Sequence, residues 1–103
     1  MTITVDGKRL KFKWNFAAQY EHEAVTGVPF DGSKTMHRHL MYWCMLRVNN
    51  RDEYTEDFDK FVERLNDDPA LVSELEHGFL TIMQDRQALV ESAAKSEGDK
   101  KKD

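Results

Sequence analysis

Leu40-Met41-Tyr42-Trp43-Cys44-Met45-Leu46 is an unbroken run of apolar and aromatic side chains in a chain whose residues are 33% charged. Read as a helix, it points apolar groups in every direction, and such a helix must be covered on more than one side. A chain of 103 residues has few elements with which to cover it. The run is therefore either the central post of one small domain or part of a surface that waits for a partner.

The elements available as cover can be read from the flanking sequence. Ile3 and Val5 alternate with Thr2 and Thr4, and Asp6-Gly7 follows. Asp-Gly suits a two-residue type I′ turn, where both positions take positive φ. Leu10, Phe12 and Trp14 then alternate with Arg9, Lys11 and Lys13. Period two with one charged face describes a β-hairpin packed on one side and wet on the other. A lone hairpin is barely stable, so its apolar face must lie on helices.

Four helices are expected. The first runs from Phe16 to Thr26, with Asn15 as N-cap and Gly27 as the left-handed terminator before Pro29. Its apolar stripe is Phe16, Tyr20 and Ala24. The second helix starts after Ser33 as N-cap, carries the apolar run and ends near Asn49, before a loop at 49–52. The third starts after Thr55, with Glu56 and Asp57 in its first turn, where the helix dipole favours acids. Its stripe is Phe58, Phe61, Val62 and Leu65. The fourth starts at Asp68-Pro69, a capping acid before proline at the first helical position, and runs to about Ala94. Gly78 in its middle costs about 1 kcal/mol relative to alanine. Either a neighbour approaches closely there or the helix bends.

The expected architecture is thus α+β: an N-terminal β-hairpin packed on a mainly helical, roughly four-helix domain over 1–94, followed by a charged, disordered tail over 95–103.

Chemistry is sparse. His37 and His39 stand two apart, about 200° around a helix, so they cannot share a metal ion. Glu21-His22-Glu23 has no second histidine four residues on, so it is not a zincin motif. Cys44 is the only cysteine, and its apolar setting favours the unreactive thiol. No serine lies in a nucleophile elbow and no glycine loop precedes a Gly-Lys-Thr. No catalytic residue, cofactor or metal site is expected, and no enzymatic activity.

Charge narrows the partners. Residues 1–94 carry 11 basic against 16 acidic side chains, which opposes docking on phosphate despite the basic hairpin residues Lys8, Arg9, Lys11 and Lys13. The span 52–76 holds ten acids against Lys60 and Arg64, a pattern that solvates a helix face or meets a basic face on another copy. The apolar run is far shorter than the ~20 residues of a membrane span. The opening Thr2-Ile3-Thr4-Val5 lacks a basic region followed by an apolar one, so no secretory signal is expected.

The segment Trp14-Asn15-Phe16-Ala17-Ala18-Gln19-Tyr20-Glu21-His22-Glu23-Ala24-Val25-Thr26-Gly27-Val28-Pro29-Phe30 follows a Thr-Ile-Thr-Val-Asp-Gly-Lys hairpin. A short hairpin, an aromatic, a helix with acids near its end, then Thr-Gly and an aromatic resembles the tail assembly chaperones of long-tailed bacteriophages and prophages. The later layout agrees: an apolar second helix, a capped third helix at Thr55-Glu56-Asp57-Phe58, and a long fourth. The resemblance covers residues 2–90 in layout and is sharpest over Tyr20–Gly27.

The resemblance implies a non-enzymatic protein of the bacterial host cytoplasm, absent from the mature virion, that coats the tape measure protein while the tail tube polymerises. It also implies self-association, since many copies must cover one long client. It supplies no ligand motif, so partner-binding residues follow from surface physics alone. Met41 and Met45 are adaptable apolar contacts, and Tyr42 and Trp43 are suited to anchor a partner. All four could equally fill the core of the monomer. The readings set against the chaperone are a structural tail-completion or connector protein and a small regulatory adaptor or nucleic-acid binder.

Overall fold

A computed structural model of the chain describes residues 1–102, with side chains for residues 1–93. The disordered tail expected over 95–103 lies outside the fully described residues. The element order is hairpin, then four helices.

Strands β1 (Thr2–Val5) and β2 (Lys8–Lys11) pair antiparallel, with Ile3 opposite Leu10 and Val5 opposite Lys8. Asp6 and Gly7 both take positive φ, 51° and 78°, as a type I′ turn requires. Ile3, Val5, Leu10 and Phe12 are buried. Residues directly opposite share a face, so Lys8 stands beside Val5 at the rim of the inner face. Its Nζ donates to the Glu53 carbonyl at 3.3 Å. The outer basic face therefore consists of Arg9, Lys11 and Lys13, without Lys8.

Helix α1 (Phe16–Thr26) has the expected bounds and caps. The Asn15 side chain accepts from the Ala18 amide, and Gly27 at φ 75° donates to the Glu23 carbonyl at 2.7 Å. Its roll differs from expectation. Phe16 and Tyr20 are 61% and 64% exposed, and the buried face is Ala18 and His22. Asn15 Nδ2 donates to Asn49 Oδ1 at 2.9 Å, which fixes the start of the helix, and the His22 ring packs on Phe30 and His37. Those contacts turn the aromatic stripe outward, where Phe16 stacks on Tyr20 and meets Trp14 edge-on.

Helix α2 (Thr35–Asn49) begins two residues after the expected cap. Ser33 does not cap it, because the Ser33 amide and hydroxyl both donate to Asp31 Oδ1. Helix α3 (Phe58–Asp67) is capped by Asp57, whose side chain accepts from the Lys60 amide at 2.9 Å. It starts later than Thr55 predicts because the Glu56 carboxylate turns away to grip Arg64. Helix α4 (Pro69–Lys102) starts where Asp68-Pro69 predicts, with Asp68 Oδ1 accepting from the Leu71 amide at 3.2 Å.

The hairpin lies across α2 and α4, α1 and α3 flank α2, and the core is continuous through all of them. The end of the hairpin meets α4 at Gly78. A Cβ there would stand 3.4 Å from the Phe12 ring and 2.8 Å from Met1 Sδ. The end of the hairpin approaches the α4 backbone closely, which is the first of the two expected reasons for that glycine.

Candidate interaction surface

The apolar run is the post, and this chain covers it. Leu40, Cys44 and Leu46 are buried, and Met41, Tyr42 and Met45 are 1%, 2% and 0% exposed. Tyr42 sits between Phe12 and Phe79, at ring distances of 6.1 and 5.3 Å. Of the two roles expected for the run, this packing selects the central post. The partner contacts expected at Met41, Tyr42 and Met45 are corrected, because all three side chains are at most 2% exposed.

Trp43 is the exception, and it is only half-buried. Its Nε1 donates to the Glu56 carbonyl at 3.0 Å, and its ring meets Phe58 edge-on at 6.0 Å. In this arrangement Trp43 pins the segment before α3 onto α2.

The exposed apolar surface lies elsewhere. Val25, Val28 and Met36 are 55%, 47% and 54% exposed. With Thr26, His37, Leu40 and Phe58 they line an open groove of about 420 Å³ between the end of α1, the start of α2 and the start of α3. Its shape follows from local chemistry. Gly27 ends α1, and Thr26 Oγ1 bonds the His22 carbonyl and the Val28 amide and carbonyl, so the chain turns sharply and leaves Val25 and Val28 on one rim. Phe30 then folds inward against Phe79 at 5.8 Å. A second groove of about 300 Å³ runs along Arg38, Tyr42, Glu76, Phe79, Leu80 and Met83.

Behind the first groove stands a feature that sequence reading passed over. His22 is fully buried, and neither ring nitrogen has a hydrogen-bond partner. Its ring centroid lies 5.0 Å from that of His37, whose Nδ1 accepts from the Asp31 amide at 3.0 Å. Burial lowers the His22 pKa from the ordinary histidine value, and His37 adds to the shift. The His37 peptide group and the Glu23 carboxylate oppose it more weakly, without reaching hydrogen-bond geometry. The sequence signal was Gly27-Val28-Pro29-Phe30, a turn that returns the chain across α1 and so brings residue 37 opposite residue 22.

Other chemistry is muted. Burial pushes the Cys44 thiol up to about 12, so it stays protonated at neutral pH. Among the described residues, no group of three or more histidine, cysteine or acidic side chains could hold a metal ion. No described helix is long and apolar enough to cross a membrane. Compared with protein-family models, curated proteins and solved structures, the chain matches none.

Proposed function

We propose that this chain is a non-enzymatic tail assembly chaperone of a long-tailed phage or prophage. In this reading it holds the tape measure protein soluble in the host cytoplasm and leaves before the virion is complete. The single observation that carries the reading is apolar surface left open on a body whose core is already closed. Val25, Val28 and Met36, all outside the core, rim this groove. The layout of hairpin, capped first helix and Thr26-Gly27 turn supports the family assignment.

A tape measure protein is long, helical and apolar before assembly. An amphipathic helix seats side chains spaced three or four apart in grooves of this kind. Met36 is unbranched and adapts to different partners, as a chaperone needs. The solvated acids on α3 and at the start of α4, among them Asp59, Glu63, Asp67 and Glu74, keep such a complex soluble by charge. The partner contact proposed on this fold is therefore the groove, rather than Met41, Tyr42, Trp43 and Met45.

Co-expression with a candidate tape measure protein tests the reading. The client should stay soluble and co-purify with this chain. Equal precipitation with and without the chain would refute it.

A further inference from the structure

We propose that His22 and His37 form a proton-operated clasp: while neutral, they hold α1 and the loop 27–34 against α2, and on protonation they release that edge of the groove.

Two contacts meet at this pair. The first is at His37. Its Nδ1 accepts from the Asp31 amide, so that nitrogen carries no proton in the closed state. A protonated imidazole donates from both nitrogens. It would set an N–H against the Asp31 N–H, and the bond that ties the loop to α2 would be lost. The second is at His22. A cation there would be fully buried, with no acceptor at either nitrogen and a second imidazole at 5.0 Å. A buried charge without a partner is unfavourable, and two adjacent imidazolium ions more so.

The charged groups that face the pair do not outweigh the burial of His22. From α1, the Glu23 carboxylate accepts from Gln19 and favours a charged His22 less than burial disfavours it, and Glu21 acts on Cys44. From the loop, the Asp31 carboxylate accepts from Ser33 and keeps its negative charge, which acts on His37, and Lys34 is itself a cation. From α2, Arg38 donates to the Gly32 carbonyl, and the His39 ring faces Tyr42 instead. From the start of α3, Asp57 is engaged by the Lys60 amide. From α4, the side chain packed on Phe30 is Phe79, and the nearest acid on that helix, Glu76, acts on Tyr42 and His39.

The sign follows. With its folded-state pKa below the ordinary value, His22 takes a proton more readily in the open or unfolded chain. The closed state is at full strength above the ordinary histidine pKa of about 6.5. It weakens as pH falls below that value. Opening swings Phe30 and the loop away and widens the groove bordered by Val25, Val28 and Met36. The inference needs no client, so its failure and that of the chaperone reading can be told apart.

Amide hydrogen exchange on the wild-type protein at pH 7.5 and 5.5, corrected for intrinsic rates, reads the clasp directly. Protection of the Asp31 amide should fall about tenfold or more at pH 5.5 while the β2 amides stay protected, and hydrophobic-dye fluorescence should rise. His37→Asn keeps an acceptor for Asp31 but does not titrate. With His22→Leu it should remove both responses, whereas His39→Asn should retain them. Should the double variant not fold, ring-nitrogen chemical shifts of the wild type decide the matter. A His22 protonated at pH 5.5 with the Asp31 amide still protected would overturn the proposal, as would pH-independent protection at Asp31.

Discussion

Asn50 serves as a third strand for Lys11. Its Oδ1 accepts from the Lys11 amide at 2.9 Å, and its Nδ2 donates to the Lys11 carbonyl at 2.8 Å. The same Nδ2 donates to the Leu46 carbonyl at 2.8 Å, so one side chain satisfies the outer edge of β2 and the end of α2. Asn50 is buried, and water does not replace these bonds easily. Asn50→Ala should cost about 2–3 kcal/mol in a denaturant melt. Asn50→Asp should cost more at neutral pH, because it turns the donor into a charge facing two carbonyls. Equal stability of the three proteins would show that the edge does not depend on this residue.

Gly78 separates helix propensity from packing. Met1 Sδ lies at the end of a flexible side chain and can move, while the Phe12 ring at 3.4 Å is in tight but ordinary contact. Gly78→Ala should therefore fall between neutral and about 1 kcal/mol more stable, the helix gain being nearly free. Gly78→Leu should lose about 1–3 kcal/mol by forcing the hairpin off α4. A destabilising alanine would mean that Phe12 cannot yield even slightly.

Arg64 clamps three parts of the fold. It holds the Glu56 carboxylate through two nitrogens and reaches Asp6 at the hairpin tip at 3.3 Å. The hydrogen bonds from Arg64 hold the Glu56 carboxyl below the ordinary glutamate value. A lowered carboxyl pKa stabilises the fold above the unfolded-state value and is lost as pH falls through the folded-state one. Stability should therefore decline as pH drops below about 4.5, the ordinary value. Glu56→Gln should flatten that decline and cost about 1–2 kcal/mol at pH 7, since the pair is bidentate and only partly exposed. An unchanged acid limb in chemical unfolding would remove Arg64–Glu56 from the account.

Trp43 should behave as a structural anchor. Trp43→Phe loses the bond to the Glu56 carbonyl but keeps an aromatic against Phe58. It should cost about 1 kcal/mol, and Trp43→Ala about 3 kcal/mol. Calorimetry would check both, and a fully stable Trp43→Ala would return this residue to the list of free surface contacts.

Much of the fold was legible because its signals were local. Asp6-Gly7 specifies a turn by φ alone, Asn15 and Gly27 bound α1, and Asp68-Pro69 starts α4. What was not legible depended on pairs distant in sequence. Asn49 and Asn50 read as loop residues, yet they bond Lys13, Asn15 and Lys11 across the fold. The roll of α1 was misjudged because a helix carrying both Phe16 and His22 normally buries the phenylalanine. Here the partners of residue 22, Phe30 and His37, decide which face turns inward. The surface was harder still. Seven apolar residues in a row look like an interface, and only packing shows that Phe12, Phe61, Leu75 and Phe79 cover them. The groove residues Val25, Val28 and Met36 are scattered over two elements and a loop, so no window of sequence marks them.

Site-specific photo-crosslinking tests the central claim most directly. p-Benzoylphenylalanine would replace Met36 in the groove, or Ser73 on the exposed side of α4 as a control, in cells that also make the tape measure protein. The account predicts a crosslink to the tape measure protein from position 36 and none from position 73. Val25→Asp should abolish the crosslink while leaving the melting temperature within a few degrees, because Val25 is outside the core. Efficient crosslinking from position 73 with none from position 36 would contradict it.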